Sequence, residues 1–319
     1  MNSDIFKKKN NCDYITCLHG LKFSAKIAIR RNNGNYHSRG ELVLCGIFGF
    51  IMRKPVPLSK VFSILEKLEV AQYSNEDKPL GGYGAGIAVM LPDGDIISEK
   101  VGKTVDSPAK QLEQIFKNEK FMGTKLEHGS VLLWHVRNPT SEFMKNTAFK
   151  EAAQPYVEHF QRETNPVSPG DSYAVVSAHN GYVKNYLELK KKLSAHVFES
   201  EKVGLVDSEV IPHYFGEILN EARNVDDALY RLLSDLQGSN FAALLLVDKE
   251  DAFIHLIHKG KTRGLTVWAN DKDEVIFCSR PEPVEEELQT ALTKGKFKQK
   301  VGIKWQEDAG LKMSFHVML

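Results

Sequence analysis

Hydrophobic positions along this 319-residue chain follow two rhythms. Short apolar runs rich in β-branched and aromatic residues predict strands over 45–51, 87–91, from 96 onward, 130–136, 173–178, 241–248, 252–258, 265–269, 275–279 and 311–318. Apolar residues three and four apart predict helices. One runs over 59–72, where Val61, Ile64, Leu65 and Leu68 share a face behind a Ser59 cap; others span 109–118, 186–193, 208–219 and 225–236. Pro55 and Pro57 are expected to end the first strand. Gly81, Gly82, Gly84 and Gly86 lead into the second, and Pro92-Asp93-Gly94-Asp95 turns the chain toward the third. The polar, proline-bearing stretch 141–171 reads as a long loop. No Pro/Gly/Ser linker or internal repeat divides residues 45–319, and many strands with helices gathered in two or three blocks predict one layered α+β domain.

Composition narrows the function classes. With 42 % hydrophobic and 26 % charged residues the chain can bury a sizeable core. Its longest uncharged apolar run, 241–247, is far short of the roughly 20 residues of a membrane helix, so no membrane is expected as partner. A net charge of +1 supplies no broad field for nucleic acid. The charge is uneven, however: residues 1–44 hold eight basic and three acidic side chains. They lack a secretory apolar stretch, and 32–40 is crowded with Asn, Gly, Ser and Arg, so 1–44 is expected to be a flexible leader or propeptide, or the product of a mis-assigned start, with a transit peptide as the weaker alternative. The working domain is then 45–319. Four cysteines (Cys12, Cys17, Cys45, Cys278) make no disulfide framework at this length, and a reduced, cytoplasmic chain is expected. No metal or other cofactor is expected. Cys12 and Cys17 have no second pair, and the spacing of His255 and His258 puts them on opposite faces of a strand. Lys190-Lys191-Lys192 reads as a solvated helix face and 294–300 as a basic loop.

Taken alone, Cys45 before Gly-Ile-Phe-Gly is a small hydrophobe opening a core strand. An ordered set of polar groups follows it. His135-Val136-Arg137-Asn138-Pro139-Thr140 ends one apolar strand, Ala178-His179-Asn180-Gly181 ends another, and Val206-Asp207-Ser208-Glu209 opens a helix. Strand ends meeting on one rim are where such scaffolds build sites. An arginine can grip a carboxylate, an aspartate can hold an ammonium, and Asn-Gly can offer N–H groups to a developing oxyanion. A free amino acid attacked at its side-chain carbonyl needs all three.

These four collinear motifs, with Tyr182-Val183-Lys184-Asn185-Tyr186 after the third and Val210-Ile211 after the fourth, resemble the class II glutamine amidotransferase domain over nearly all of 45–319. His135 to Thr140 and Ala153-Gln154-Pro155-Tyr156-Val157 are most similar to amidophosphoribosyltransferase-like domains. The resemblance implies the N-terminal-nucleophile (Ntn) hydrolase fold, a four-layer α/β/β/α sandwich. It implies that Cys45 attacks the side-chain amide of L-glutamine and passes through a γ-glutamyl thioester, that Asn180 and Gly181 form the oxyanion hole, that Arg137 and Asp207 bind the α-carboxylate and α-ammonium, and that Thr140 contacts substrate. It also implies that the α-amine of Cys45 serves as base, which requires Cys45 to be the first residue of the working protein. Self-cleavage after Leu44 or a later translation start at 43 or 44 would each achieve this.

The chain departs from the family pattern in three places. Gly81-Gly82-Tyr83-Gly84-Ala85-Gly86 replaces the usual Arg-Gly-x-Asp-Ser-Ala-Gly, a region that varies most on the glutamate-synthase-like side of the family. Trp134 replaces a glycine, and Ser141 replaces a glycine or histidine. Nothing after residue 240 resembles an acceptor-processing domain, so an ammonia-accepting synthase subunit supplied in trans is expected, and homo-oligomers are left open. The alternatives are a γ-glutamyl amide or peptide hydrolase and a catalytically silent glutamine-sensing subunit.

Overall fold

The computed structural model describes residues 24–28, 45–72, 76, 78–90, 95–118, 128–161, 172–248 and 251–318. Its strands are β1 (Ser24–Ala28), β2 (Gly46–Pro57), β3 (Gly84–Met90), β4 (Ile96–Gly102), β5 (His128–Val136), β6 (Tyr156–Gln161), β7 (Ser172–Gly181), β8 (Asn240–Asp248), β9 (Asp251–Lys261), β10 (Leu265–Ala269), β11 (Val275–Cys278), β12 (Lys298–Ile303) and β13 (Asp308–Met318). The helices are α1 (Leu58–Val70), α2 (Pro108–Lys117), α3 (Tyr186–Lys192), α4 (Val210–Glu221), α5 (Val225–Asp235) and α6 (Glu282–Lys294). One sheet runs β1-β13-β9-β8-β7-β6 and the other β12-β10-β11-β2-β5-β3-β4.

Both faces of the central strands are apolar, and this forces layering. In β2, Ile47 and Ile51 point into the core between the sheets, while Phe48 and Phe50 point toward a helical layer. In β8, Phe241, Ala243 and Leu245 enter the same inter-sheet core, and Ala242, Leu244 and Leu246 face the other helical layer. Helix α1 (Val61, Ile64, Leu65, Leu68) joins α2 (Leu112, Phe116) and α6 (Val284, Leu288) on one sheet; α3 (Leu189), α4 (Ile211, Phe215) and α5 (Leu229, Leu232) cover the other. Fully burying each such side chain contributes about 1.5–3 kcal/mol, so the fold is held by three stacked apolar seams. The result is an α/β/β/α sandwich.

Several expectations need correction. Pro55 does not end β2, which runs to Pro57 past a register irregularity between Ile51 and Val56. Helix α1 opens after Pro57, with Ser59 inside it rather than capping it. The 141–171 stretch is not one loop: 3-10 turns at Ser141–Asn146 and Lys150–Ala152 are followed by β6, an edge strand paired with β7. The basic loop at 294–300 is divided between the end of α6 and the start of β12. Ser24–Ala28, which pairs antiparallel with β13, leaves the expectation of a leader over 1–44 as it stood. The spacing of Cys12 and Cys17, the composition of 32–40 and the turn at 92–94 lie outside the described residues. Trp134 faces the helical layer, packing 5.2 Å from Phe62 and 6.3 Å from Phe48 between ring centroids, so this departure fills the core beneath the first motif. No helix among the described residues is long and apolar enough to cross a membrane.

Candidate active site

Cys45 sits immediately before β2, and the register partner of Gly46 is Val136 at the end of β5, so the cysteine lies beside the Arg137–Thr140 segment. Its sulfur donates to the Asn138 carbonyl at 3.3 Å and accepts from the Asn138 N–H at 3.3 Å. The glycine cluster supports this corner through backbone contacts: Arg137 N–H donates to Gly84 O at 2.8 Å and Tyr83 N–H to Arg137 O at 3.0 Å. A Cβ on Gly86 would lie 2.1 Å from Gln154 O, so only glycine lets the Gln154 segment close here.

A cleft of about 320 Å³, part of it open to solvent, is lined by Cys45, Arg137, Thr140, Gly181 and Asp207, together with Pro139, Phe143, Gln154, His179, Val206 and Ser208. Five of the six residues expected at the site thus meet in one cavity. Asn180 does not line it; it is fully buried beside Gly181, with neither side-chain amide atom hydrogen-bonded among the described residues. Gly181 has φ +141°, and a Cβ there would meet Ser239 O at 2.3 Å, so the end of β7 requires glycine.

The cleft carries unmatched polarity. Arg137 is buried; Nη2 donates to Asn146 Oδ1 at 2.8 Å, while Nη1 has no partner among the described residues. Thr140 Oγ1 is likewise buried without one. Asp207 is buried, accepts from Val183 N–H at 2.8 Å through Oδ2, and pairs with no cation among the described residues. Burial pushes its carboxyl up to about 7. A surface ion pair between Arg137 and Asp207, the ordinary reading of such residues, is absent from the described residues. Buried polar groups are normally satisfied, so those facing a cleft mark where ligand atoms go.

The sulfur itself rests as a thiol. Burial raises Cys45 to about 11, against the downward pull of the Asn138 N–H, Arg137 and Arg263. The cleft histidine is committed elsewhere: His179 Nε2 lies 2.9 Å from Asn240 Oδ1 and Nδ1 lies 2.9 Å from Ser208 Oγ. Burial lowers His179 to about 4 and His135 to about 3, keeping both neutral. Gln154 ties the rim together, donating to Ser208 Oγ at 3.1 Å and to His179 O at 3.2 Å and accepting from His179 N–H at 2.6 Å. Gln154, His179 and Ser208 lie inside the quoted motifs but received no role there; their position within the motifs was the available signal.

No family model matches the chain. It is 26 % identical over 218 residues to glutamine–fructose-6-phosphate aminotransferase (isomerizing) of Gluconobacter oxydans, covering 67 % of this chain and 29 % of that protein. It is 27 % identical over 238 residues to 7-cyano-7-deazaguanine synthase of Sulfolobus acidocaldarius, covering 74 % and 43 %. The chain therefore spans less than half the length of these curated relatives. Among solved structures, glutamine phosphoribosylpyrophosphate amidotransferase of B. subtilis superposes with a TM-score of 0.50 at 19 % identity, covering 84 % of this chain and 48 % of that one, a likeness of fold. In sequence motifs, in relatives and in its α/β/β/α sandwich of the Ntn-hydrolase type, the chain resembles the class II glutamine amidotransferase enzymes.

Proposed function

We propose that residues 45–319 hydrolyse the side-chain amide of glutamine through Cys45 and deliver the ammonia to a synthase subunit in trans. The observation that carries this reading is the set of buried groups on one cleft with the thiol that are unmatched among the described residues: Arg137 Nη1, Thr140 Oγ1 and Asp207. Free glutamine offers counterparts to three of these four groups, an α-carboxylate for the guanidinium, an α-ammonium for Asp207, and an amide carbonyl for the sulfur.

In this scheme the working protein begins at Cys45, whose α-amine takes the thiol proton. The sulfur forms a bond to the amide carbon, and the carbonyl oxygen receives the displaced electron pair. Asn180 and the Gly181 backbone N–H stabilise that oxyanion. Collapse breaks the C–N bond, the amine's proton passes to the departing nitrogen as ammonia, and water then cleaves the thioester to give glutamate and the free thiol. The engagement of both His179 nitrogens supports the amine as base. Ammonia in neutral water is rapidly protonated, which favours direct transfer to a partner. A buried free Cys45 and a buried free Cys278 agree with residence in the reducing cytoplasm.

The test is glutamate release by protein beginning at Cys45, measured with glutamine and with γ-glutamyl peptides in parallel, alongside the intact mass of natively expressed protein. Turnover of glutamine and a native mass lacking residues 1–44 are expected. Preference for the peptides would favour a γ-glutamyl hydrolase, and a retained leader with no turnover would favour a sensing subunit.

A further inference from the structure

Outside the cleft, Glu158 of β6, His196 of the turn after α3 and His213 of α4 bring three donor atoms together. His196 Nδ1 and His213 Nδ1 are 3.1 Å apart, and Glu158 Oε1 is 3.4 Å from each. Ligands of a tetrahedral zinc lie about 2.0–2.2 Å from the ion, so the edges between them are roughly 3.3–3.5 Å. The triangle has the size of one face of such a site.

The far sides of both rings support the same reading. His196 Nε2 lies 2.8 Å from Glu217 Oε1, and His213 Nε2 faces Glu209 Oε1 at 3.9 Å. Glu209 is itself fixed, accepting from Ser200 N–H at 2.9 Å and from Ser200 Oγ and Glu199 N–H. Glu217 at hydrogen-bond distance places the ring proton of His196 on Nε2, as a carboxylate does behind metal-bound histidines, and Glu209 stands behind His213 on the same side at longer range. His196 Nδ1 then turns a lone pair toward His213 Nδ1 and the Glu158 carboxylate, and one divalent ion at the centre of the triangle would be ligated by all three atoms. Two imidazoles and one carboxylate suit a divalent transition ion better than calcium or magnesium. The Glu158 side chain is 25 % exposed, so the cluster borders solvent on that side.

We propose that Glu158, His196 and His213 bind one divalent transition ion of the zinc type. None of the three lines the cleft. The ion joins β6 to α4 and to the turn after α3. Gln154 lies just ahead of β6, and Asp207 and Ser208 just ahead of α4, so the site braces the segments that carry the cleft's rim. This placement is independent of what the cleft binds.

The experiment strips the full chain with a chelator, then titrates it with ZnCl2 by calorimetry and with Co2+ by visible absorption. One saturating equivalent is expected, with Co2+ bands of nitrogen–oxygen coordination lacking sulfur charge transfer, and a thermal midpoint that rises with zinc. His196→Ala and Glu158→Gln should each lose that equivalent and the zinc-dependent rise; Glu158→Gln keeps the shape of the side chain, so the comparison survives if His196→Ala folds poorly. Glu217→Gln should bind about 10–100-fold more weakly. Absence of a saturating equivalent, or equal affinity in Glu158→Gln and the parent, would overturn the site and leave a hydrogen-bonded His–Glu cluster only.

Discussion

Cys45 Sγ and the main chain of Asn138 exchange two hydrogen bonds, each 3.3 Å long, which fixes the sulfur against the residue that follows Arg137. The same burial that anchors it raises the thiol to about 11, so at neutral pH the attack needs a base. In protein beginning at Cys45, kcat/KM for glutamine should rise with pH through the ionisation of Asp207 near 7 and of the α-amine near its ordinary value of about 8, and kcat at saturating glutamine through the amine's ionisation, because the free amine is the active form. Acetylating that amine should abolish turnover. A rate that keeps climbing toward the thiol's own range, or survives acetylation, would remove the amine from the mechanism.

Asp207 should trade stability for binding. Its folded-state value of about 7 lies above the ordinary aspartate value, so the stability it contributes is fully present below about pH 4 and is lost as pH rises through about 7. Asp207→Asn should therefore raise the thermal midpoint at pH 8 by several degrees, an advantage that disappears toward pH 4. The same variant should raise KM for glutamine by about 10–100-fold, the loss of one charge-assisted hydrogen bond. Calorimetric melts at the two pH values and steady-state kinetics check both halves.

Arg137 separates binding from chemistry. If its unpartnered Nη1 receives the α-carboxylate, Arg137→Lys loses the two-pronged geometry and should raise KM by about 10–100-fold while kcat changes far less. Simple γ-amides without an α-carboxylate should be turned over equally slowly by parent and variant.

Asn180 gives the opposite pattern. Removing one oxyanion donor typically lowers kcat by about 10²–10³-fold. Because both its amide atoms are buried without partners among the described residues, Asn180→Ala abandons no hydrogen bond described there, and its thermal midpoint should stay within a few degrees of the parent. A large fall in midpoint with kcat intact would make Asn180 a packing residue.

What the sequence made legible follows from the range of each signal. Strands such as Leu265–Ala269 carry short, self-contained apolar runs, and the inter-sheet core could be anticipated from them. Helix α6 went unseen because Glu282, Glu285, Glu286 and Glu287 mask the spacing of Val284, Leu288 and Leu292, although Pro281 and Pro283 marked its start. Strand β6 was hidden because its polar residues Glu158, His159 and Gln161 suit a sheet edge. The cleft residues were readable only because each sits in a contiguous motif. Gln154, by contrast, acts through Ser208 and His179, and that contact exists only after β6 and β7 pair. Glu158, His196 and His213 are distant in sequence, and no ligand spacing could reveal them.

The central claim is that Cys45 Sγ bonds covalently to the γ-carbonyl of glutamine. Protein beginning at Cys45, mixed with excess glutamine and quenched in acid within the first turnovers, can be digested and its N-terminal peptide weighed. The account predicts one added γ-glutamyl group, labile to hydroxylamine, carried on Cys45 and missing from Cys45→Ser. Rapid glutamate release with no adduct on that peptide, or an undiminished rate in Cys45→Ser, would contradict it.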